Sequence, residues 1–358
     1  MLPIVLFVVI ALVDLTVLIK LYRVLTMLRV LPEKDTDGDS PSVSVCIAAR
    51  DETHAMTQCL ERVIASDYQK LEILVLDDQS HDDTSILIKS FAHAGVRFIE
   101  GQALPEGWLG KNHAQAVLAR QASGELILFL DVDTLIEPHT IQRLVHYYTH
   151  HAATMVSVLP IRNDHWVVSN LFATMRHFWT LMRFRIAQPR AVANAWLINR
   201  KEVLKQLETD DSLPLSVQME TTIARTIARH KKYRLITSNE WLGIRYEKRW
   251  LSQVETSIRL LYPQADHNSV KVAGLVGLLL IVLTPYVVVW FYPWFMGIIV
   301  AHYLIAYYYL SQVWVRYRLI GALLLPVTIV QEVVLLIMST WKYNFGTITW
   351  KGRPVRKK

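Results

Sequence analysis

The stretch "LFLDVDT", residues 128–134, places two acids two residues apart at the end of an apolar run. Residues two apart in an extended chain point to the same side, so the carboxylates of Asp131 and Asp133 would lie close together. Like charges at that distance repel each other unless a cation or a shared proton offsets them. The stretch therefore predicts either a bound cation or a carboxylate pair that shares a proton.

Acids also follow two earlier apolar runs. "AARDE" overlaps the end of residues 43–48, and "LDDQS" overlaps the end of residues 71–76. If these runs are neighbouring strands, three acidic strand ends converge, which is unfavourable without a counter-ion. Because Mg²⁺ is held by one or two carboxylates together with substrate phosphates, we interpret the acids as part of a metal–diphosphate clamp. Asp82 and Asp83 are also consistent with caps at a helix start.

The elements that would position these acids alternate between short apolar runs and amphipathic stretches across residues 40–250. This alternation predicts an α/β fold with a mainly parallel sheet covered by helices on both faces. Ligands of such sheets bind beyond the carboxyl ends of the strands. The predicted strands are Val43–Ala48, Leu71–Leu76, Val96–Ile99, Leu126–Leu130 and Met155–Leu159. The predicted helices lie near residues 54–66, 82–93, 111–122 and 138–149.

An apolar run from Leu2 to Ile19 is long enough to cross a membrane as a helix. Basic residues follow this run, which is typical of a retained anchor with the next segment in the cytoplasm and not of a cleaved signal peptide. Asp14 interrupts the run. Because an Asp at a helix centre costs roughly 2.5–3.5 kcal/mol on insertion, we expect Asp14 to face another helix.

A second apolar region divides into about three predicted spans, residues 272–292, 295–314 and 319–340. The alternative is a buried soluble bundle, which runs of this length with so little charge disfavour. Four spans would leave the basic tail outside, against the positive-inside tendency. If the last segment is re-entrant, it enters and leaves the membrane on the same side and the conflict disappears. We therefore expect the basic tail on the inside.

The net charge of +7 fits contact with an anionic membrane surface better than nucleic-acid binding, since the basic residues flank the spans. Cys46 and Cys59 fall within the central domain, where we expect reduced cytosolic thiols. The predicted segments are an anchor at 1–32, a central domain at 40–250, an interfacial segment at 251–270, membrane segments at 271–340 and a basic tail at 341–358.

Three stretches of the central domain resemble, in order, the motifs of family 2 glycosyltransferases, which have the nucleotide-diphosphate-sugar binding fold called GT-A. "CIAARDE" resembles the first-strand motif, with Asp51 where Asn is commonest, and "VLDDQSHDDT" resembles V-D-D-x-S-x-D-x-T. "GWLGKNHAQAVLARQASGELILFLDVDT" resembles the block G-K-x-x-A, A-x-G-E and D-x-D. The G-W-x-G-K form and the terminal "WKGR" resemble membrane enzymes that glycosylate carotenoid acids or are associated with hopanoid biosynthesis, and more distantly ceramide glucosyltransferases.

The resemblance implies a Rossmann-like GT-A domain and assigns roles on its donor side. Asp133 would be the principal ligand of Mg²⁺ or Mn²⁺, Asp78 would contact the uridine, and Lys111 would lie near the base or the phosphates. The residues implied to bind the donor nucleotide are Ala49, Arg50, Asp51, Glu52, Asp78, Lys111, Asp131 and Val132.

The acceptor side departs from the family pattern first at the catalytic base. In "SVQMETTIARTIARHKKYRL", Glu220 stands where the family has an Asp, and Met219 replaces the acid before it. A Glu can abstract the same proton. An acid in a first helical turn also simply favours the helix dipole, and Asp211 is the alternative base.

The second departure concerns the motif Q-x-x-R-W. In "YEKRW", Tyr246 stands in the place of the Gln, while Arg249 and Trp250 are kept. The resemblance implies that Arg249 neutralises the leaving diphosphate and that Trp250 forms the floor under the acceptor. The alternative is a basic and aromatic segment that enters the membrane.

Together these features predict inverting, metal-dependent transfer of a hexosyl group from a nucleoside diphosphate sugar, a UDP-sugar, to a membrane lipid such as a carotenoid, a hopanoid or another glycolipid precursor. Residues 163–185, rich in Trp, Phe, Met and Arg, fit either an interfacial amphipathic helix that meets this lipid or a core helix. The alternatives are a processive polysaccharide synthase, a polyprenyl-phosphate sugar transferase and a non-catalytic membrane scaffold with a degenerate nucleotide-sugar domain.

Overall fold

The computed structural model describes residues 1–32, 40–163, 175–314 and 316–354. By their internal contacts, the residues divide into two compact units. The first, which we call the sheet unit, comprises residues 28–161 and 184–247. The second, which we call the helical unit, comprises residues 1–27, 162–183 and 248–358.

The main sheet of the sheet unit contains, among the described residues, the strands β1 Val43–Ala49, β2 Leu71–Asp77, β3 Val96–Glu100, β4 Leu126–Leu130, β5 Met155–Leu159, β6 Ala195–Asn199 and β7 Tyr233–Thr237. Their order is β3-β2-β1-β4-β6-β5-β7. Neighbouring strands run parallel except β6, which is antiparallel to both β4 and β5. The mainly parallel sheet and all five predicted strands are confirmed.

Helices pack against this sheet through regularly spaced apolar residues. The first of them buries Met56, Cys59, Leu60 and Val63, which is the spacing of one helical face. All four predicted helices are present, and both cysteines are buried free thiols. The helices of the sheet unit are Thr53–Ile64, Thr84–Ser90, Gly110–Gln121, Thr140–His150, Arg200–Thr209 and Met219–Ala228.

Asp82 joins the starts of two of these helices. Its carboxylate accepts hydrogen bonds from the amide and hydroxyl of Thr53 at 3.3 and 2.5 Å, and from those of Thr84 at 3.1 and 2.5 Å. Burial raises the pKa of Asp82, but these hydrogen bonds outweigh it and lower the pKa to about 2. Asp82 is therefore a capping residue, whereas the side chain of Asp83 makes no cap hydrogen bond.

The helical unit contains, in its described residues, four helices that are long and apolar enough to cross a membrane: Leu2–Leu28, Ser269–Val288, Pro293–Val313 and Leu325–Phe345. The last predicted span, 319–340, is displaced, because one helix ends at Leu323 and a new helix runs from Leu325 to Phe345. Residues 355–358 of the predicted basic tail lie outside the described residues. The other helices of this unit include Arg176–Met182 and Trp250–Gln264.

Asp14, in the first span, does face another helix. Its Oδ1 lies 3.1 Å from Nε2 of His302, and Nδ1 of His302 lies 3.3 Å from the hydroxyl oxygen of Tyr286. Both Asp14 and His302 are buried. The three side chains come from three different candidate spans, so a polar chain connects those spans inside the helical unit.

A proline lies near the end of the helix that begins at Trp250. Pro263 has no N–H to donate to the carbonyl of Arg259, four residues earlier. The hydroxyl of Tyr343, from the last span, donates to that carbonyl instead, at 2.8 Å. A side chain of the last span thus completes the backbone hydrogen bonding of this helix.

Two further side chains support the same helix. Ser339 accepts a hydrogen bond from the amide of Tyr262 at 3.0 Å and donates to the carbonyl of Ile258 at 2.5 Å, so its hydroxyl stands between two groups of the helical ladder. The guanidinium of Arg183 donates to the carbonyl of Gln264 at 2.6 Å. A cation at a helix carboxyl end is favourable to the helix dipole.

Of the predicted amphipathic segment 163–185, residues 164–174 lie outside the described residues. In the described remainder, Trp179 is buried in the core of the helical unit and its Nε1 donates to Glu332 at 2.7 Å. Glu332 is fully buried in the last span. Trp179 is therefore a core contact of the helical unit and not an exposed interfacial side chain.

Candidate active site

The carboxyl ends of β1, β2 and β4 lie side by side at one edge of the sheet, because the three strands are parallel neighbours. Beyond the strands, the amide of Asp78 donates to the carbonyl of Ala49 at 2.7 Å. The buried guanidinium of Arg50 donates to the carbonyls of Asp78 and Gln79, the latter at 2.9 Å. Ala49, Arg50 and Asp78 are thus brought together, as the motif spacing predicts.

Asp51 adopts a left-handed backbone conformation, with φ of 50°. Asp and Asn tolerate this conformation better than most residues other than Gly, which explains an acid or amide at this point. The amide of Asp51 donates to the hydroxyl of Ser80 at 2.9 Å, and its carboxylate accepts from the amide of His81 at 2.7 Å. The amide of Glu52 donates to the hydroxyl of Thr84 at 2.8 Å. These bonds join the loop after β1 to the loop after β2.

Lys111 forms an ion pair with the first acid of the "DVD" stretch. Its Nζ lies 2.5 Å from Oδ1 of Asp131, and both side chains are mostly buried. Lys111 is positioned by the first turn of the helix that begins at Gly110. The repulsion predicted between Asp131 and Asp133 is therefore relieved on the Asp131 side by a lysine. Because Asp131 is engaged in this pair, Asp133 is the better candidate for a metal ligand.

The loop before β6 fixes the position of the "DVD" stretch. The amide of Asp131 donates to the carbonyl of Asn194 at 2.9 Å, and the side-chain amide of Asn194 donates to the hydroxyl of Thr134 at 3.4 Å. Val132 is buried and anchors the stretch by packing. Asn194 is a buried polar residue that no family motif marked, so its role could not be read from the sequence.

Tyr246 lies beside this stretch in the sheet unit. It faces Thr134 in a short antiparallel strand pair, and the next amide, of Glu247, donates to the carbonyl of Asp133 at 3.0 Å. Tyr246 is buried. The residue that replaces the family's Gln thus packs against the acidic stretch through its strand.

Arg249 and Trp250 belong to the helical unit. Arg249 is the extended residue before the helix Trp250–Gln264, and Trp250 is its first residue. Trp250 is 36% exposed. Their contact with the diphosphate and the acceptor stays a prediction.

Glu220 lies in the first turn of the helix Met219–Ala228 and is buried. The hydroxyl of the next residue, Thr221, accepts from the amide of Ala191 at 3.1 Å and donates to its carbonyl at 3.3 Å. Ala191 lies in the same loop as Asn194, whose carbonyl accepts from the amide of Asp131 in the "DVD" stretch. One loop therefore contacts both the acidic stretch and the helix start that carries Glu220.

A second connection links the donor-side helix to the segment before Glu220. The side-chain amide of Asn112, next to Lys111, donates to the carbonyls of Leu213 and Ser216, both at 2.8 Å. Asp211, the alternative base, is exposed in the turn before this segment. The buried acid of the two is thus Glu220.

No group of three or more His, Cys, Asp or Glu side chains suited to holding a metal occurs in the part of the chain that the structure describes. A Mg²⁺ site completed by substrate phosphates needs only one or two carboxylates from the protein. Asp133, partly exposed at the carboxyl edge of the sheet, fits such a site, with Asp131 as the neighbouring acid.

Residues 44–199 match the family model "Glycosyl transferase family 2". These residues form a glycosyl transferase family 2 domain, which is somewhat less than half of the chain. The matched residues include all three acidic strand ends and Lys111, and they end before Glu220. The resemblance on the donor side is thereby confirmed at the level of the family, while the base and the acceptor residues lie beyond the matched region.

This glycosyltransferase domain is similar to curated proteins over part of their length. It is 33% identical over 124 residues to an N-acetylglucosaminyltransferase of Rhizobium leguminosarum bv. viciae, which is 34% of this chain and 29% of that relative. It is 31% identical over 135 residues to an undecaprenyl-phosphate 4-deoxy-4-formamido-L-arabinose transferase of Aeromonas hydrophila subsp. hydrophila, 36% of this chain and 40% of that relative. The matches thus span less than half of these relatives.

The fold is shared with a mannosyltransferase from Pyrobaculum calidifontis solved in complex with GDP-Man and Mn²⁺. The TM-score is 0.55 at 17% identity, and the match covers 95% of this chain and 98% of that one. The likeness confirms the predicted glycosyltransferase fold with its apolar helices.

Proposed function

We propose that this protein transfers a hexosyl group, with inversion at the anomeric carbon, from a nucleoside diphosphate sugar to a lipid acceptor in the membrane. The observation that carries the proposal is the carboxyl edge of the sheet, where Asp133 follows the Lys111–Asp131 pair. One hydrogen-bonded loop connects this edge to the helix start that carries the buried Glu220. Two comparisons support it, since one relative is named for an undecaprenyl-phosphate substrate and the structural neighbour holds GDP-Man.

On the donor side, the loop 49–52 and Asp78 would enclose the nucleotide, with the carboxylate of Asp78 accepting from the base. We propose a UDP-sugar because the resemblance assigns Asp78 to uridine. Lys111 already stands beside an anionic oxygen of Asp131, and its charge would also attract the donor phosphates. Val132 would hold the stretch in place from within the core.

A divalent cation, Mg²⁺ or Mn²⁺, held by Asp133 and helped by Asp131 through water, would offset the charge that develops on the leaving diphosphate. The Mn²⁺ in the structural neighbour is in line with this requirement. Arg249 would add positive charge on the leaving-group side, and Trp250 would support the acceptor.

Glu220 would remove the proton from the acceptor hydroxyl as it attacks the anomeric carbon. Glu220 is buried in the first turn of its helix. An acceptor carboxylic acid is already ionised near neutral pH and scarcely needs a base, so such an acceptor would tolerate the exchange of the family's Asp for a Glu. A carotenoid acid, a hopanoid or another glycolipid precursor would fit this scheme.

The four candidate spans support a place in the membrane, and we propose that the sheet unit lies on the cytoplasmic face, where nucleotide sugars occur. The polyprenyl-phosphate sugar transferase stays a candidate because of the undecaprenyl-phosphate relative. A processive synthase and a non-catalytic scaffold are distinguished by their products, since the first makes a long water-soluble glycan and the second makes none.

The test is a screen of donor sugars with purified protein and membrane lipid extract, followed by mass spectrometry of the products. We expect a glycosylated lipid whose formation requires Mn²⁺ or Mg²⁺ and is lost in Asp133→Ala. Glu61→Ala is the matched control, because Glu61 is an exposed acid late in a surface helix, and it should retain full turnover. A long water-soluble glycan, or equal activity of Asp133→Ala and wild type, would contradict the proposal.

A further inference from the structure

Trp314, the residue that follows the third candidate span, is held in place by contacts within the helical unit. Its amide donates to the carbonyl of Leu310 at 2.9 Å, so it closes the last turn of the span. The guanidinium of Arg162 lies 4.9 Å from the centre of its ring, and the backbones of the two residues pair in parallel at this point. Both side chains are buried. The end of the span is therefore a packed part of the unit.

The helix Arg318–Leu323 packs against the same tryptophan. Gly321 permits this contact, because a Cβ at its position would lie 2.7 Å from Cζ3 of Trp314. Tyr317, directly before the helix, has a left-handed backbone with φ of 57°, which breaks the helical path between the span and the helix. Residues 316–318, which we call the arginine turn, are thus fixed to the span by the packing of Gly321 on Trp314.

The arginine turn carries two positive charges. Nε of Arg318 donates to the carbonyl of Trp314 at 2.8 Å, and a cation at a helix carboxyl end is favourable to the helix dipole. This bond uses one of the five N–H donors of a guanidinium. Neither the rest of the Arg318 guanidinium nor Arg316 forms a hydrogen bond or ion pair with any residue that the structure describes. Arg316 is exposed and Arg318 is half-buried, so both can reach a ligand.

Apolar side chains stand exposed beside these arginines. Leu319, Ile320 and Leu323 are between 43% and 63% exposed, and their positions fall within about 100° around the helix axis. Beside the end of a candidate span, such a face is suited to lipid chains. A guanidinium binds phosphate oxygens through two parallel N–H groups. Charged donors and an adjoining apolar face together match the two parts of a phospholipid.

We propose that the arginine turn binds the headgroup of an anionic phospholipid, with Arg316 and Arg318 on its phosphate and the acyl chains along Leu319, Ile320 and Leu323. The ammonium group of a zwitterionic headgroup would be repelled by the arginines, which favours the anionic class. If the first three candidate spans cross in turn, the third ends on the same side as the first. In the proposed orientation this is the cytoplasmic leaflet, which holds anionic lipids.

The experiment titrates purified full-length protein in a neutral detergent with short-chain phosphatidylglycerol, phosphatidylcholine or inorganic phosphate, and counts bound molecules by native mass spectrometry. Phosphatidylglycerol should bind at least about tenfold more tightly than phosphatidylcholine, because only its headgroup has a net negative charge. Arg316→Ala and Arg318→Ala should each weaken its binding about 10- to 150-fold, the range for a hydrogen bond to a charged group. Inorganic phosphate, which lacks the acyl chains, should not compete at equal concentration.

Arg23→Ala is the matched control, since Arg23 is an exposed arginine near the carboxyl end of the first span. A charge that acts only through general attraction to an anionic surface contributes about fivefold, so the loss in Arg23→Ala should not exceed that. Arg318→Ala also removes the hydrogen bond to Trp314, so unfolding by SDS is measured for every variant. Arg316→Ala removes no such bond and tests the site even if Arg318→Ala proves unstable.

Three results would overturn the proposal: equal affinity for the two phospholipids, a loss in Arg316→Ala no larger than in Arg23→Ala, or competition by inorganic phosphate as strong as by the lipid. Each of them leaves the proposed function standing, because the readout is lipid binding without any donor sugar. Absence of glycosyl transfer in the donor screen would in turn leave this lipid site standing.

Discussion

Replacing Tyr343 by Phe removes the hydroxyl that donates to the carbonyl of Arg259 and keeps the ring. Pro263 cannot supply the missing hydrogen bond because it has no N–H. Tyr343 is only 8% exposed, so water has little access to the site. Leaving a buried acceptor unsatisfied costs about 1–3 kcal/mol, and we expect Tyr343→Phe to lower the free energy of unfolding of the helical unit by that amount.

The same substitution should cost less in a Pro263→Ala background, since alanine restores an N–H four residues after Arg259. The coupling between the two changes should reach about 1–2 kcal/mol, within the range found for residues that share a partner. Ser339→Ala should cost less than about 1 kcal/mol, because the amide of Tyr262 can then bond directly to the carbonyl of Ile258.

The assay is unfolding by SDS in mixed micelles, followed by far-UV circular dichroism, for the wild type, both single variants and the double variant. Tyr307→Phe is the matched control, since Tyr307 lies in another span and is 45% exposed, and it should be neutral. A cost of Tyr343→Phe that stays the same in the Pro263→Ala background would mean that Tyr343 acts through packing and not through the carbonyl of Arg259.

Two further substitutions test the proposed base and a helix cap. Glu220→Gln should reduce transfer to an alcohol acceptor by about 10²–10⁴-fold, the usual contribution of a general base, and should reduce transfer to a carboxylic acid acceptor much less; equal and complete losses in a turnover assay would count against this role. Asp82→Asn should destabilise the sheet unit at neutral pH. Because the folded pKa of Asp82 is lowered to about 2 against an ordinary value of about 3.9, the stabilisation is present above about pH 4 and is lost as the pH falls towards 2. The difference in unfolding midpoint between the wild type and Asp82→Asn should shrink over that interval. A constant difference would contradict the lowered pKa of Asp82 in the folded protein.

The donor side of the fold could be predicted because its signals are local. Each of β1, β2 and β4 is a continuous apolar run followed by acids, and parallel neighbours necessarily bring their carboxyl ends to one edge. The prediction that Asp14 faces another helix rested on the same kind of local reasoning, namely the cost of a carboxyl in an apolar span. His302 as its partner could not be named, since nothing near Asp14 in the chain specifies it.

The acceptor side of the site could not be predicted from local sequence signals. β6 is antiparallel, but a short apolar run has the same pattern in either direction. The contacts of Asn112 with Leu213 and of Asn194 with Thr134 join residues far apart in the chain, and Asn occurs too often in loops to indicate them. The resemblance assigns Lys111 to the base or the phosphates, whereas its ion pair with Asp131 depends on where a helix start meets a strand end.

The polar chain from Asp14 through His302 has a consequence for how the protein is made. Asp14 is synthesised about 290 residues before its partner His302, a delay of roughly 15–60 s at 5–20 residues per second. During that delay Asp14 has no histidine beside it, so insertion of the first span into a membrane would bear the full cost of the carboxyl. Assembly of the helical unit therefore cannot finish before the third span arrives, and a chain truncated before His302 should be held by the insertion machinery or degraded.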